Sequence, residues 1–162
     1  MRKAFVFDFD DTLATTDAVT LVRENFNHHV VARLTPRQMN AHNLHKSCYY
    51  DYCEFKDDTF IQKANPTWLM ALAKEVAAER HNVFILTARN QIVADSIYQW
   101  LKTHDIDAAT VVCVGDQAGG VAINKKRVLL DLVEKFDKTY FYDDSEENVN
   151  IFSHEKLRSY QV

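Results

Sequence analysis

Glycine is scarce in this 162-residue chain. There are three, Gly115, Gly119 and Gly120, all inside one short stretch. No G-x-G-x-x-G and no G-x-x-x-x-G-K-[ST] can be written anywhere, which excludes the usual glycine loops for dinucleotides and for ATP. Proline occurs twice, and with no Pro/Ser linker, repeat or low-complexity tract the chain reads as one compact unit, residues 1–162. No apolar run approaches the ~18 residues of a membrane span. The apolar stretch after Met1-Arg2-Lys3 is shorter than the ~7–15-residue core of a signal peptide. Basic charge is not in excess: 19 Lys and Arg against 23 Asp and Glu give −4, which excludes a strongly basic nucleic-acid footprint though not a local patch. Cys48, Cys53 and Cys113 are an odd number without a secretory framework, and predict free thiols in a reducing cytoplasm.

What is present is an ordinary globular composition, 47% apolar and 26% charged, long enough to fold without a disulfide or metal staple. Residues 4–7, 83–86, 110–114 and 139–142 are short, continuous apolar runs, the mark of strands buried on both faces of a parallel sheet. Helical stripes lie between them. They are Leu69, Leu72, Ala73 and Val76, with Pro66 in the first turn; Val93, Ile97, Trp100 and Leu101; and Val128, Leu129, Leu132, Val133 and Phe136. Ser145 caps a short helix that opens with Glu146 and Glu147, and residues 157–162 read as a last edge strand. Alternating strands and helices predict a doubly wound α/β sheet in three layers, with right-handed crossovers. Residues 13–65 interrupt the alternation. A helix is expected around 17–30 and another after the cap Thr35 with Pro36 at its first position, so this insertion reads as a small, mainly helical cap within the domain.

The chemistry lies at the strand ends. Phe5-Val6-Phe7 runs directly into Asp8-Phe9-Asp10-Asp11-Thr12, and Tyr140-Phe141-Tyr142 into Asp143-Asp144-Ser145-Glu146-Glu147-Asn148. In an open α/β sheet, ligands bind at the carboxyl ends of the strands. Carboxylates gathered there repel one another unless a divalent cation holds them, and Mg²⁺ takes carboxylate, phosphate and water oxygens. Two smaller signals lie between. Residues 83–86 lead into Thr87-Ala88-Arg89. Asn124-Lys125-Lys126-Arg127 puts cations at the start of a helix, where they oppose its dipole and so hint at a function.

In this order the four segments resemble the motifs of the haloacid dehalogenase superfamily, most of whose members are phosphohydrolases. Asp8, Asp10 and Thr12 match D-x-D-x-T. Thr87 matches the strand-end hydroxyl, Lys125 or Lys126 the helix lysine, and Asp143, Asp144 and Asn148 the acidic pair followed by Asp or Asn. The resemblance covers about residues 1–12 and 66–162, and it implies a Rossmann-like sheet in the order 3-2-1-4-5. It departs at Asp11, where glycine is frequent; aspartate tolerates the left-handed backbone of a tight turn. By this resemblance Asp8 is a nucleophile that forms an aspartyl-phosphate, and Asp10 is the acid and base. Thr87 and Lys125 hold the phosphoryl oxygens. Asp8, the backbone of Asp10, Asp144 and Asp143 hold Mg²⁺. Thr12, Arg89, Lys126, Tyr50 and Tyr52 are the candidate substrate-binding residues.

In that superfamily the cap selects the substrate, and a small cap implies an open site that admits nucleotides or a polymer end. Tyr49, Tyr50, Tyr52 and Phe55 suit base stacking, worth ~1–3 kcal/mol per base, but residues 13–65 carry six acidic and six basic side chains and form no basic groove. His42, His45, Cys48 and Cys53 are zinc-ligand types at a spacing that matches no common zinc module. The expected function is a cytoplasmic, Mg²⁺-dependent phosphatase, monomeric or homodimeric and free of membrane, acting on a nucleotide or other small phosphate ester. A polynucleotide-end phosphatase and an inactive phosphate-binding or regulatory module are the alternatives. Seven of the 23 acids lie at residues 8–11 and 143–147, so the negative balance is concentrated where the metal is expected.

Overall fold

The computed structural model describes residues 1–162. Along the chain come β1 (Lys3–Phe7), β2 (Ala14–Thr15), β3 (Thr20–Glu24), β4 (Val30–Leu34), α1 (Pro36–Met39), β5 (Cys48–Asp51), α2 (Asp58–Gln62), β6 (Asn65–Pro66) and α3 (Leu69–Ala78). There follow β7 (Asn82–Thr87), α4 (Ala94–Thr103), β8 (Thr110–Cys113), α5 (Val121–Lys135), β9 (Lys138–Asp143), α6 (Glu146–Asn150) and β10 (Leu157–Gln161). Five of these strands form a parallel sheet in the spatial order β10-β9-β1-β7-β8. No helix is long and apolar enough to cross a membrane.

Strand periodicity divides the core. Phe5 and Phe7 of β1 point to one face, where Leu69, Ala73 and Val76 of α3 and Ile97, Trp100 and Leu101 of α4 cover them. Val6 points to the other face with Leu86 and Phe141, under Leu129, Leu132 and Val133 of α5. The helical stripes read from the sequence are thus the buried faces of α3, α4 and α5. β1 is central and flanked on both sides, which explains its unbroken apolar run. Ser145 caps α6, accepting from the Asn148 N–H, and β10 is the edge strand. Cys113 is buried in the core, and all three cysteines are free.

The segment between β2 and β6 differs from expectation. It is mixed, not mainly helical: beside its short helices, β3 is the middle strand of a three-stranded antiparallel sheet, between β4 and β5. The helix expected around 17–30 is instead β3, a turn, and the start of β4. The turn is built from Asn25-Phe26-Asn27-His28, with His28 in left-handed backbone (φ 59°) and the Asn27 side chain accepting from the His29 N–H. Asparagine supplies the turn chemistry that glycine more often signals. Pro66 also departs from expectation. It lies in β6, paired antiparallel with β2, so the two crossings into the inserted segment are tied together. Thr67, two residues before α3, braces its approach instead, its hydroxyl donating to the Thr12 carbonyl at 2.5 Å and accepting from the Leu69 N–H. The helix at Pro36 forms as read, with a capping box between Thr35 and Gln38.

Candidate active site at the carboxyl ends of the strands

β1 and β9 end side by side, and the Asp8 N–H extends their ladder onto the Tyr142 carbonyl at 2.8 Å. That register sets Asp8 beside Asp143. The chain then turns tightly: the N–H groups of Thr12, Leu13 and Ala14 all converge on the Phe9 carbonyl. Asp11 takes the left-handed position (φ 58°), the conformation anticipated for an aspartate in place of glycine.

Lys125, on the second turn of α5, reaches this pair from the other face. Its Nζ donates to Asp8 Oδ1 and to Asp143 Oδ2, each at 2.6 Å, with the lysine side chain 1% exposed. Asp143, fully buried, also accepts from the Ser145 N–H and from Asn148 Nδ2. Burial alone pulls the Lys125 ammonium down, but the two carboxylates override it and hold the group above the ordinary lysine range. One ammonium cannot neutralise two carboxylates, so burial, with Asp143 adding to it, pushes the Asp8 carboxyl well up against the pull of Lys125. Asp144 completes the group: its carboxylate lies within 4.8 Å of those of Asp8 and Asp143. Burial first, then Asp143 and Asp11, raise it to about 6. Three carboxylates against one ammonium leave two negative charges, the charge of one divalent cation, and hard oxygen donors are what such a cation takes. The donor set fits a metal of that kind.

Asp10 is held differently. Arg89 forms a bidentate fork on it, Nε to Oδ2 at 2.9 Å and Nη2 to Oδ1 at 2.8 Å. The guanidinium is 1% exposed. It sits between the rings of Phe9 and Phe55, 5.5 and 5.0 Å from their centroids, and donates to the Phe55 carbonyl. Phe55 belongs to the inserted segment, so that segment helps to seat Arg89. Arg89, read from the sequence as a substrate-binding residue, is therefore occupied by Asp10. A fork of this kind fixes a carboxyl group in position.

The site opens into a cavity of about 800 Å³. Asp8, Asp10, Arg89, Lys125, Asp144 and Tyr52 line it. Thr87, Thr12, Lys126 and Tyr50 stand back from it. The Thr87 hydroxyl is buried and accepts from the Arg89 N–H at 3.2 Å, so it shapes the loop that carries the guanidinium. Thr12 is buried with an unpartnered hydroxyl and bonds through its carbonyl to Thr67. Lys126 lies over the Phe152 ring, leaving Lys125 as the lysine at the carboxylates. Tyr50 bonds His42 Nδ1 at 2.8 Å. The zinc-type residues are not gathered: His42 is taken by Tyr50, His45 by Ser47, and Cys48 and Cys53 are free. The one metal-type cluster is acidic.

Sequence reasoning missed the Arg89–Asp10 fork and the seat that Phe55 provides. The partners are 79 and 34 residues apart, so no local spacing signals them.

Comparison with known families gives no match, and none of the curated proteins matches. Among solved structures, a chain from the structure of the Pnkp1/Rnl/Hen1 RNA repair complex has the same fold, with a TM-score of 0.57 at 17% identity. The likeness spans 100% of this chain and 42% of that one, so this chain corresponds to less than half of its neighbour's length.

Proposed function

We propose that this chain is a Mg²⁺-dependent phosphomonoester hydrolase that works through an aspartyl-phosphate on Asp8. The observation that carries this reading is the pairing of two differently held carboxylates at one cavity: Asp8 beside Lys125 in an acidic cluster, and Asp10 fixed apart by Arg89. The superfamily resemblance of the four motifs supports the same roles.

An Asp8 carboxylate oxygen attacks phosphorus, and the bond from phosphorus to the leaving oxygen breaks. Asp10 gives that oxygen its proton. Asp10, now a carboxylate, takes a proton from water. The water oxygen attacks the phosphoryl group, inorganic phosphate leaves, and the Asp8 carboxylate is restored. Lys125 offsets charge on the incoming phosphoryl oxygens beside Asp8. Asp8, Asp144 and the Asp10 backbone carbonyl would hold Mg²⁺, with Asp143 next to them. When bound, the cation lowers the repulsion between an anionic nucleophile and an anionic phosphate. Thr87 acts through the loop that presents Arg89.

Phosphate release from nucleotides, sugar phosphates and phosphorylated oligonucleotides, with Mg²⁺ and with EDTA, tests the reading. Release is expected with Mg²⁺, abolished by EDTA and by Asp8→Asn. Release that survives Asp8→Asn overturns the mechanism, and binding without release from any substrate favours a phosphate-binding module. The fold shared with a chain of an RNA repair complex favours a second reading, in which the monoester is the end of an RNA strand. Turnover would then weaken steeply with salt, as contacts to a phosphate backbone do.

A further inference from the structure

We infer that the cavity beside Asp8 binds its substrate by an apolar slot for a flat, uncharged leaving group, and that nucleoside monophosphates, not polynucleotide ends, are the substrates that fit. The inference rests on the phosphomonoesterase reading above and names its substrate class.

Two observations carry it. The first is where apolar surface is exposed. Tyr52, Val121 and Ile123 are 46%, 36% and 48% exposed, yet all three line this one cavity. Tyr52 comes from the inserted segment just after β5, and Met39, at the end of α1, lines the cavity from the same segment. Val121 and Ile123 come from the first turn of α5. Apolar side chains from two separate parts of the chain thus face one opening, where water would favour polar ones. Grouped exposed apolar residues of this kind mark binding surfaces. An aromatic ring and aliphatic side chains in the lining of one cavity suit a planar, apolar ring.

The second observation is charge. Three cations line the cavity, Lys56, Arg89 and Lys125. Arg89 is committed to Asp10, and Lys125 to Asp8 and Asp143. Lys56 alone remains, and beyond the metal-type cluster the same lining carries Asp116 and Glu147. A polynucleotide brings a phosphate with every residue and is drawn by several Lys and Arg side chains. A wall with one free cation and two further acids does not offer that. It accepts one phosphoryl group at Asp8 and a neutral group behind it. The cavity volume, about 800 Å³, is within the range of small-molecule sites and larger than a bare sugar phosphate needs.

The experiment uses the full chain with Mg²⁺ and three substrates: adenosine monophosphate, ribose 5-phosphate and a 5′-phosphorylated oligonucleotide. Steady-state kinetics are measured at low and raised salt, and adenosine monophosphate binding to the Asp8→Asn protein is measured by calorimetry. KM for adenosine monophosphate is expected at least about tenfold below that for ribose 5-phosphate, the scale of one stacked base, and nearly flat with salt. Tyr52→Ala and Ile123→Ser each raise KM for adenosine monophosphate severalfold, and by more than they raise KM for ribose 5-phosphate. Equal KM values for the two small substrates, or a preference for the oligonucleotide that salt erodes, overturn the slot. If no substrate turns over but Asp8→Asn still binds adenosine monophosphate and Tyr52→Ala weakens that binding, the slot stands and the hydrolase reading falls.

Discussion

The Arg89–Asp10 fork is the residue-scale feature with the sharpest consequence. A general acid must stand within hydrogen-bond reach of the leaving oxygen, and small misplacement of reacting groups costs rate steeply. Arg89 touches Asp10 and no reacting atom in the proposed chemistry, so it is a positioning residue. Lysine at this position keeps a positive charge but cannot fork onto both oxygens or fill the space between Phe9 and Phe55. Arg89→Lys is expected to lower kcat roughly 10–100-fold with KM little changed. The deficit should shrink for a phosphate ester whose leaving group is acidic enough to depart unprotonated. Asp10 is also the base of the second step, which all esters share, so the comparison is made on leaving-group release in a single turnover, which a purely structural defect would slow alike for an alkyl and a p-nitrophenyl phosphate.

Element boundaries show what scarce glycine does to a fold. Four residues other than glycine occupy left-handed backbone: Asp11, His28, Arg80 and Asp105. Arg80 and Asp105 follow the ends of α3 and α4, and the next N–H groups, of His81 and Ile106, reach back to the Val76 and Leu101 carbonyls. This is the helix-ending turn in which glycine is the usual occupant. Arg80 is exposed, and its left-handed backbone costs roughly 1–2 kcal/mol that glycine would not. Arg80→Gly is therefore expected to stabilise the protein by about 1 kcal/mol, read as a rise in the urea midpoint with an unchanged slope; no rise would mean that the arginine side chain offsets the strain. Gly115 is the converse. A Cβ there would press on the Ala88 carbonyl oxygen and sit 2.9 Å from the Arg89 backbone, and its N–H donates to the Arg89 carbonyl. Gly115→Ala is expected to cost about 1–3 kcal/mol and to lower kcat, because the displaced segment carries Arg89; unchanged kcat would show that the fork tolerates the shift. The same economy of glycine explains what the sequence could and could not reveal. β1, β7, β8 and β9 were legible because each is a local apolar run, and the acids follow directly on two of them. The β3–β4 hairpin was not, because its turn is made by asparagines and a left-handed histidine where a glycine would have flagged it. The seat of Arg89 was illegible for a different reason: Asp10, Phe55 and Arg89 meet only after the sheet and the inserted segment have formed.

At the scale of the molecule, the negative balance of the chain is a local store of repulsion that a cation would relieve. Asp144 measures it. Its value in the fold, about 6, lies above the ~3.9 of an unfolded aspartate, so the metal-free fold holds that proton more tightly than the unfolded chain does. Stability from this group is full below about pH 4 and is lost as pH rises through about 6. At pH 8 the ionised carboxylate therefore destabilises the metal-free fold, by on the order of 1 kcal/mol once solvent screening of a partly exposed group is allowed for. Asp144→Asn removes the charge. In EDTA at about pH 8 the variant is expected to melt above the unsubstituted protein, and the gap should close as the pH is lowered toward 4. Mg²⁺ should reverse the order. At a hundredfold excess over its Kd a bound ion stabilises the intact site by about 2.7 kcal/mol, while the variant lacks one of the three carboxylates and gains much less. Thermal unfolding of both proteins, in EDTA and in Mg²⁺, reads both signs in one series. A variant no more stable than its parent in EDTA would show that the three carboxylates carry no stored repulsion. Equal Mg²⁺ shifts in the two proteins would place the ion elsewhere on the molecule.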